Sequence, residues 1–290
     1  MIPILNASGC LDALTAPDVA QSLDVFVTKT VTPLPREGNP PPRIAETESG
    51  MLNSIGLQNP GIETFVSENL PRLAALGIPI WVSVGGFSAS DYASTCALLD
   101  GCDDVATVEL NLSCPNVDEA AATAAELVAA ARAVTAKPLY AKLSPATWDV
   151  AETARAVADA GADGLSLVNT IRGLALETAA FRPTLALGAG GYSGPALRPI
   201  ALACVYACAT AVDLPIVGMG GVASGRDALD LVAAGASAVA LGTILFSDPF
   251  AAARIRQEIA VEVDALEYAS ASEIRGAARR STSPHVTSPT

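Results

Sequence analysis

The sequence predicts an α/β protein of the (β/α)8 TIM-barrel class, and three observations support this prediction. Short apolar runs alternate with longer helical patterns along the whole 290-residue chain. The runs are mostly continuous rather than alternating, as in parallel strands that are buried on both faces. Run after run ends in polar or glycine residues, as expected where barrel strands meet at an active face. A doubly wound sheet is the alternative, since it shows the same alternation.

The apolar runs predict eight strands, at residues 2–7, 25–29, 80–85, 108–113, 139–144, 164–169, 216–220 and 238–242. Helical patterns lie between them, at residues 63–76, 118–134, 148–160, 196–211 and 225–234, with a last long helix after residue 249. Eight strand–helix alternations in a chain of this length match a (β/α)8 barrel.

Several residues mark the ends of these helices. Thr147 and Ser224 are plausible N-caps, and Pro249 suits the first turn of a helix. Gly161 and Gly235 follow helical patterns, where a left-handed residue commonly ends a helix. We therefore expect sharp helix ends before the strands at 164 and 238.

Two long connections interrupt the alternation, at residues 30–61 and 171–195. Loops of this length in a compact domain are usually lids or ligand walls. We expect one domain at residues 1–270 and a polar, disordered tail at residues 271–290.

The composition excludes several functions. A net charge of −13 argues against binding to a nucleic-acid backbone. The one histidine, His285, lies in the polar tail, which excludes Ser-His-Asp triads and histidine-based metal sites, and no metal is predicted. Acid–base chemistry must therefore use Cys, Lys, Asp, Glu, Tyr, Ser or water.

The six cysteines show no CxxC spacing, which argues against a zinc ribbon or an iron–sulfur cluster held by this chain. Cys204 and Cys208 lie four residues apart in an alanine-rich helical pattern, typical of small core residues. No secretory leader or membrane-spanning run precedes or interrupts the pattern, so we expect a cytoplasmic protein with reduced thiols.

Several predicted strand ends carry residues that could take part in ligand binding or catalysis. The glycines after the strands at 216 and 238 indicate a phosphate cradle, although tight turns alone explain them too. Lys29 and Lys142 end strands and could balance an anionic ring or a carboxylate. Cys114 follows a strand between two asparagines, where a thiol could act as a general base or nucleophile, although a buried inert cysteine is the alternative.

The chain resembles the class 1 dihydroorotate dehydrogenases, the cytosolic FMN enzymes of pyrimidine (UMP) biosynthesis. The matching strings occur in order along nearly the whole chain: NASG at 6–9, TKT at 28–30, REGNPPPR at 36–43, MLNSIGLQNPG at 51–61, NLSCPNV at 111–117, AKLSP at 141–145, VNT at 168–170, GGYSGPALRP at 190–199, GMGG at 218–221 and LGT at 241–243. The strings at 51–61 and 111–117 are highly specific.

The resemblance implies a role for each matching residue. Cys114 would be the base that takes a proton from C5 of dihydroorotate, and Lys142 would lie near N1 and O2 of FMN. The implied substrate-binding residues, for dihydroorotate and the product orotate, are Lys29, Asn53, Ile55, Gly56, Leu57, Asn111, Asn116, Asn169 and Thr170. The implied FMN-binding residues are Ala7, Ser8, Lys29, Thr30, Asn111, Lys142, Ser193, Gly194, Gly220, Gly221, Gly242 and Thr243.

The family also implies partners, and the sequence departs from the family's pattern at three places. The given sequence starts almost at the first predicted strand, so we expect the family's usual N-terminal hairpin to be missing. The stretch after Val117 is short, which shortens the lid over the substrate. Ser83 matches the fumarate-using subclass, whereas the strings around 169–177 and 190–199 match the NAD-linked subclass. We expect a homodimer, and a separate subunit carrying FAD and an iron–sulfur cluster if the chain is NAD-linked. The electron acceptor stays open.

Three alternatives remain beside the dihydroorotate hypothesis. The first is a related FMN enzyme acting on another dihydropyrimidine or cyclic amide. The second is an FMN-binding subunit whose own chemistry has decayed, which the presence of Cys114, Lys29 and Lys142 disfavours. The third, a tRNA dihydrouridine synthase, is disfavoured by the negative charge.

Overall fold

The computed structural model describes residues 2–113 and 121–280. Within these ranges the strands are β1 (Ile4–Asn6), β2 (Phe26–Val27), β3 (Ile44–Thr47), β4 (Gly50–Asn53), β5 (Ile80–Val84), β6 (Val105–Asn111), β7 (Leu139–Leu143), β8 (Gly164–Leu167), β9 (Ile171–Gly173), β10 (Gly190–Ser193), β11 (Ile216–Met219) and β12 (Ala238–Leu241).

The helices in the same ranges are α1 (Pro17–Gln21), α2 (Ile62–Thr64), α3 (Leu70–Ala74), α4 (Ala89–Asp100), α5 (Ala121–Arg132), α6 (Val150–Asp159), α7 (Arg198–Ala211), α8 (Gly225–Ala234), α9 (Ile244–Ser247), α10 (Ala251–Ala265), α11 (Ala271–Ile274) and α12 (Ala277–Arg280). A π-helical turn, Phe65–Asn69, joins α2 to α3, and a 3-10 turn, Pro195–Leu197, precedes α7.

Eight parallel strands form one sheet in the order β1-β12-β11-β8-β7-β6-β5-β2. A parallel bridge between Leu5 and Val25 joins the two edge strands, so the sheet closes on itself. This closure confirms the predicted (β/α)8 barrel and excludes the doubly wound alternative. Each strand lies at the position that the apolar runs predicted.

A buried side chain, Asn6, holds the joint between β1 and β2. Its amide nitrogen donates to the carbonyl of Val27, and its amide oxygen accepts from the N–H of Val27, both at 2.8 Å. Asn6 thus substitutes for strand pairing where β2 is short. Asn6 belongs to the NASG string at the end of the first predicted strand, and the structure gives its side chain a structural role.

Apolar side chains pack on both sides of the barrel wall. The larger core cluster lies between the strands and the outer helices and includes Cys204 and Cys208, as predicted. A smaller cluster, which includes Leu5, Val217 and Met219, belongs to the alternate strand positions that face the barrel interior. The rings of Trp81 and Tyr140, 4.5 Å apart, pack against this smaller cluster.

The two long connections form a second sheet. It is antiparallel, with the order β3-β4-β10-β9, and residues from both connections therefore pair with each other. The sequence predicted a lid or wall at these positions but no strands, because the strands are only three or four residues long and all but β3 contain glycine.

The predicted helix ends are confirmed in part. Ser224 caps α8 by accepting from the N–H of Asp227, and Gly161 and Gly235 have φ of 101° and 137°, as predicted. The N-cap of α6 is Asp149 rather than Thr147, because its carboxylate accepts two backbone N–H bonds. Helix α4 was not predicted, and α10 begins at Ala251, after the expected Pro249.

The C-terminal prediction was wrong for residues 271–280. Helices α11 and α12 occupy this segment, and Ala271 and Ile274 are buried against the barrel. The backbone N–H of Gly276 also donates to the carbonyl of Val232 at 3.0 Å. The predicted tail is mostly polar, so the few buried apolar residues of this segment were not predicted to belong to the core. Residues 281–290 lie outside the described residues.

No helix in the described part of the chain combines the length and apolar character that a membrane crossing requires.

Tyr92 connects the helical layer to the ligand face. This fully buried residue of α4 donates its hydroxyl to the carbonyl of Asn111, at the end of β6, at 2.6 Å. We expect Tyr92→Phe to lower the free energy of unfolding by about 1 kcal/mol, because the bond is lost inside the core. Urea denaturation measures the change, with Tyr268→Phe at an exposed position as the control. An unchanged midpoint would contradict this role.

Candidate active site

A cavity opens where the carboxyl ends of the barrel strands meet. Its volume of about 680 Å³ lies within the range of roughly 300–1,000 Å³ that is typical of ligand pockets. Residues of β4, β9 and β10 form one side of it, so both long connections line the cavity as predicted. The polar strand ends converge on one face, as expected for this fold.

Nearly all the site residues implied by the sequence line this cavity. They are Ala7, Ser8, Lys29, Thr30, Asn53, Ile55, Gly56, Leu57, Asn111, Lys142, Asn169, Thr170, Ser193, Gly194, Gly220, Gly221, Gly242 and Thr243. The remaining two, Cys114 and Asn116, lie outside the described residues. Further residues that line the cavity were not predicted as site residues, among them Cys10, Asn39 and Arg172.

The cavity is positively charged within an acidic protein. Lys29, Lys142 and Arg172 line it, and no aspartate or glutamate does so among the described residues. The chain as a whole carries a net charge of −13. A cavity with this charge suits ligands that carry phosphate or carboxylate groups.

Lys142 faces a buried carboxylate. Its Nζ lies 3.7 Å from Oε1 of Glu109, and both side chains are almost fully buried. Oε1 of Glu109 accepts no hydrogen bond from the described residues. A buried carboxylate in such surroundings is costly unless a cation lies close to it, so Lys142 stabilises Glu109. Glu109 was not predicted as a site residue, although a lone charge inside the apolar run at 108–113 could have indicated it.

A chain of side-chain hydrogen bonds orients the amides on the cavity floor. Asn169 donates to Oδ1 of Asn111 at 3.1 Å, and Asn111 donates to Oγ1 of Thr30 at 3.3 Å. The hydroxyls of Thr30 and Ser83 are 3.0 Å apart. Since these residues come from four different strand ends, the barrel itself fixes which amide oxygens and nitrogens can reach a ligand.

The segment Ile55, Gly56 and Leu57 lines the cavity, and hydrogen bonds from Asn39 fix its backbone. The backbone N–H of Asn39 donates to the carbonyl of Ile55 at 2.9 Å, and the side-chain amide of Asn39 donates to the carbonyl of Ser54 at 2.8 Å. Gly56 and Leu57 have positive φ, of 77° and 57°. The loop is thus held in a conformation that few residues adopt unaided.

Glycines line the cavity next to the start of α7. Gly194, Gly220 and Gly221 have φ of 119°, 120° and 76°. A Cβ at Gly221 would lie 2.9 Å from both the Gly194 carbonyl oxygen and Cβ of Arg198. These positions therefore require glycine, and their bare backbone leaves room for a phosphate group to approach.

Cys10 is a thiol that lines the cavity and was not predicted there. Burial raises the pKa of the Cys10 thiol above its ordinary value, and the charges of Lys142 and Lys29 offset only part of this rise. Cys10 is therefore a neutral thiol at neutral pH, which makes it a poor base. Its position directly after NASG could have indicated it as a lining residue.

Comparison with protein families identifies a match along most of the chain. A family model described as "Dihydroorotate dehydrogenase" matches residues 1–263. Relatives from Cutibacterium acnes and Halalkalibacterium halodurans are 43% and 42% identical to this chain. The alignments cover 96% and 94% of this chain and 95% and 93% of the relatives, and both relatives are named "Dihydroorotate dehydrogenase B (NAD(+)), catalytic subunit".

A solved structure agrees in fold. DHODH from Eimeria tenella, in complex with ferulenol, superimposes with a TM-score of 0.81 over 96% of this chain and 85% of that chain. The two sequences are 21% identical, so this comparison supports the barrel fold alone.

The buried Lys142–Glu109 pair yields a stability prediction. We expect Lys142→Met to lower the free energy of unfolding by about 3 kcal/mol, because it leaves the Glu109 carboxylate buried without a cation. The double variant Lys142→Met/Glu109→Gln should recover a large part of this loss. Urea denaturation of the four proteins of the cycle measures both effects. A double variant that loses as much stability as the two single variants together would show that the two side chains do not interact.

Proposed function

Since this chain belongs to the dihydroorotate dehydrogenase family, we propose that the cavity at the strand ends is the active site in which it oxidises dihydroorotate to orotate. The chain is an FMN-dependent oxidoreductase of pyrimidine biosynthesis. One observation carries the location of the site. Residues implied by separate motifs, spread from Ala7 to Thr243, line a single cavity in the folded chain.

The cavity suits FMN at one part of its wall. Gly194, Gly220 and Gly221 offer bare backbone for a phosphate, and we propose that Ser193, Gly242 and Thr243 complete this cradle. Ala7, Ser8, Thr30 and Lys142 would hold the ring. When bound, FMN supplies the chemistry of hydride acceptance. The Lys142 ammonium would stabilise negative charge on the reduced ring, while Glu109 keeps this cation in place.

The substrate would bind next to Lys29. Its ammonium can pair with the dihydroorotate carboxylate, and uncharged amides can then orient the ring without adding charge. We propose Asn53, Asn111, Asn116, Asn169 and Thr170 for this task, with the backbone of Ile55, Gly56 and Leu57 along one edge. Apart from Asn116, these residues line the cavity. The hydrogen bonds from Asn169 to Asn111 to Thr30 preset the amide orientations.

Cys114 is our candidate for the base. It lies three residues beyond Asn111 in the sequence, although outside the described residues. A thiolate there would take the proton from C5 of dihydroorotate. The described residues contain no histidine that could form an ion pair with it, so we expect substrate binding to favour its ionisation rather than a standing thiolate. The neutral Cys10 thiol would not compete for this role.

We further propose NAD⁺ as the terminal electron acceptor, reached through a separate subunit carrying FAD and an iron–sulfur cluster. The names of the relatives from Cutibacterium acnes and Halalkalibacterium halodurans support this acceptor. Ser83, the feature that favoured fumarate, is fully buried and bonds to Thr30. The Ser83 hydroxyl therefore has a structural role at this position, whichever electron acceptor the protein uses.

A homodimer in the cytoplasm completes the proposal. The five cysteines of the described residues are free thiols, as expected for a reducing compartment.

Flavin reduction tests the activity. Anaerobic dihydroorotate should bleach the yellow FMN-loaded protein, and Cys114→Ser and Cys114→Ala should slow this reduction by at least about 100-fold without releasing FMN. Stopped-flow absorbance measures the rates. Cys102→Ser, at a thiol away from the cavity, is the matched control.

Two results would overturn this assignment. A fully loaded protein that dihydroorotate leaves oxidised would refute the substrate, and reduction by dihydrouracil or another cyclic amide would then support the related enzyme. Cys114 variants with undiminished rates would remove Cys114 from the mechanism.

Steady-state turnover tests the acceptor. We expect the isolated chain to turn over poorly with NAD⁺, fumarate and quinone, and to use NAD⁺ when a brown iron–sulfur partner co-purifies with it. Fast turnover of the isolated chain with fumarate would contradict the NAD⁺ proposal.

A further inference from the structure

The acidic surface of this protein opposes the approach of its own substrate. Dihydroorotate and orotate are carboxylate anions at neutral pH, and the chain carries a net charge of −13. Like charges slow the encounter of a protein with a small ion, whereas a local patch of opposite charge at the entrance accelerates it. A cation at the rim of the cavity would therefore affect substrate capture.

Arg172 occupies such a rim position. It lies on β9, one of the two edge strands of the second sheet, and its side chain is exposed while it also lines the cavity. Two residues separate it from Asn169, where β8 leads into the active site. No motif of the resemblance assigned a role to Arg172.

The strand register places Arg172 in line with the substrate residues. Arg172 pairs with Gly191, Gly191 pairs with Asn53, and Asn53 pairs with Ile44. Directly paired residues in an antiparallel sheet point to the same face, and all four residues of this row line the cavity. Asn53 also donates to the Gly191 carbonyl at 3.3 Å, which ties the row together.

The Arg172 guanidinium is not neutralised nearby. It forms no ion pair with any carboxylate of the described residues, whereas Arg182, in the same connection, pairs with Glu177 at 3.0 Å. Lys29 and Lys142 are the other cations of the cavity, and Lys142 is already opposed by Glu109. Arg172 is thus a cation of the cavity whose charge no carboxylate of the described residues offsets, so an entering anion can gain from it.

We propose that Arg172 is a substrate-capture residue that attracts the carboxylate of the incoming anion to the cavity rim, before Lys29 and the amides bind it. Arg172 thereby favours carboxylated dihydropyrimidines over uncharged ones. This inference rests on the proposed function, because it assumes that the substrate is an anion that enters this cavity.

Charge-neutral variants test the proposal in the full, FMN-loaded chain. Arg172→Gln should weaken orotate binding about tenfold at low ionic strength, and Arg182→Gln should leave it unchanged. The flavin absorbance change on titration with orotate measures the affinity. The difference should shrink at about 0.5 M salt, because screening suppresses attraction at a distance. Arg172→Lys should restore most of the affinity.

Two further measurements separate capture from other roles. The methyl ester of orotate lacks the charge, so Arg172→Gln should not change its affinity. The limiting rate of flavin reduction at saturating dihydroorotate should stay within about twofold of wild type, since capture precedes the chemical step.

Distinct outcomes refute distinct claims. Equal orotate affinity in Arg172→Gln and Arg182→Gln would overturn the capture role. An equal loss for orotate and its ester, or a collapse of the limiting rate, would also overturn it by showing a structural or catalytic role. If dihydroorotate fails to reduce the wild-type flavin, the proposed function itself fails, whatever the variants do.

Discussion

Closure of the eight parallel strands is the constraint on which the site depends. Because all barrel strands run in the same direction, joining β1 to β2 brings every carboxyl end to one rim. The short β2 strand pairs weakly at this joint, and the Asn6 amide bridges it with two hydrogen bonds to Val27. Residues more than two hundred positions apart, such as Ala7 and Thr243, then line the same cavity.

The distribution of charge follows from this geometry. Among the described residues no aspartate or glutamate lines the cavity, and the buried carboxylate of Glu109 lies 3.7 Å from the Lys142 ammonium. The cations of the cavity come from the barrel strand ends and from the edge of the second sheet. A strongly acidic protein can in this way hold a dianionic phosphate and an anionic substrate together, because the local field rather than the net charge decides binding.

Features of the fold that depend on local or repeated sequence patterns were predicted correctly. The continuous apolar runs predicted all eight barrel strands, since strands buried on both faces need them. The cap at Ser224 and the turn at Gly235 depend on a few neighbouring residues and were also predicted. The second sheet was missed because its strands of three or four residues are stabilised by pairing between distant connections rather than by local preference. Helix α4 was missed although Ser88 caps it locally by accepting from the N–H of Asp91.

The amino-acid order alone specified the barrel, its family and the residues that meet at the strand ends, because period and motif are properties of the chain itself. Only the folded protein decided that Glu109 opposes Lys142, that Asn6 holds the seam and that Arg172 shares a row with Asn53. These relations join strands that are distant in sequence. Their energies depend on burial and on distance through space, and neither can be read from residue types alone.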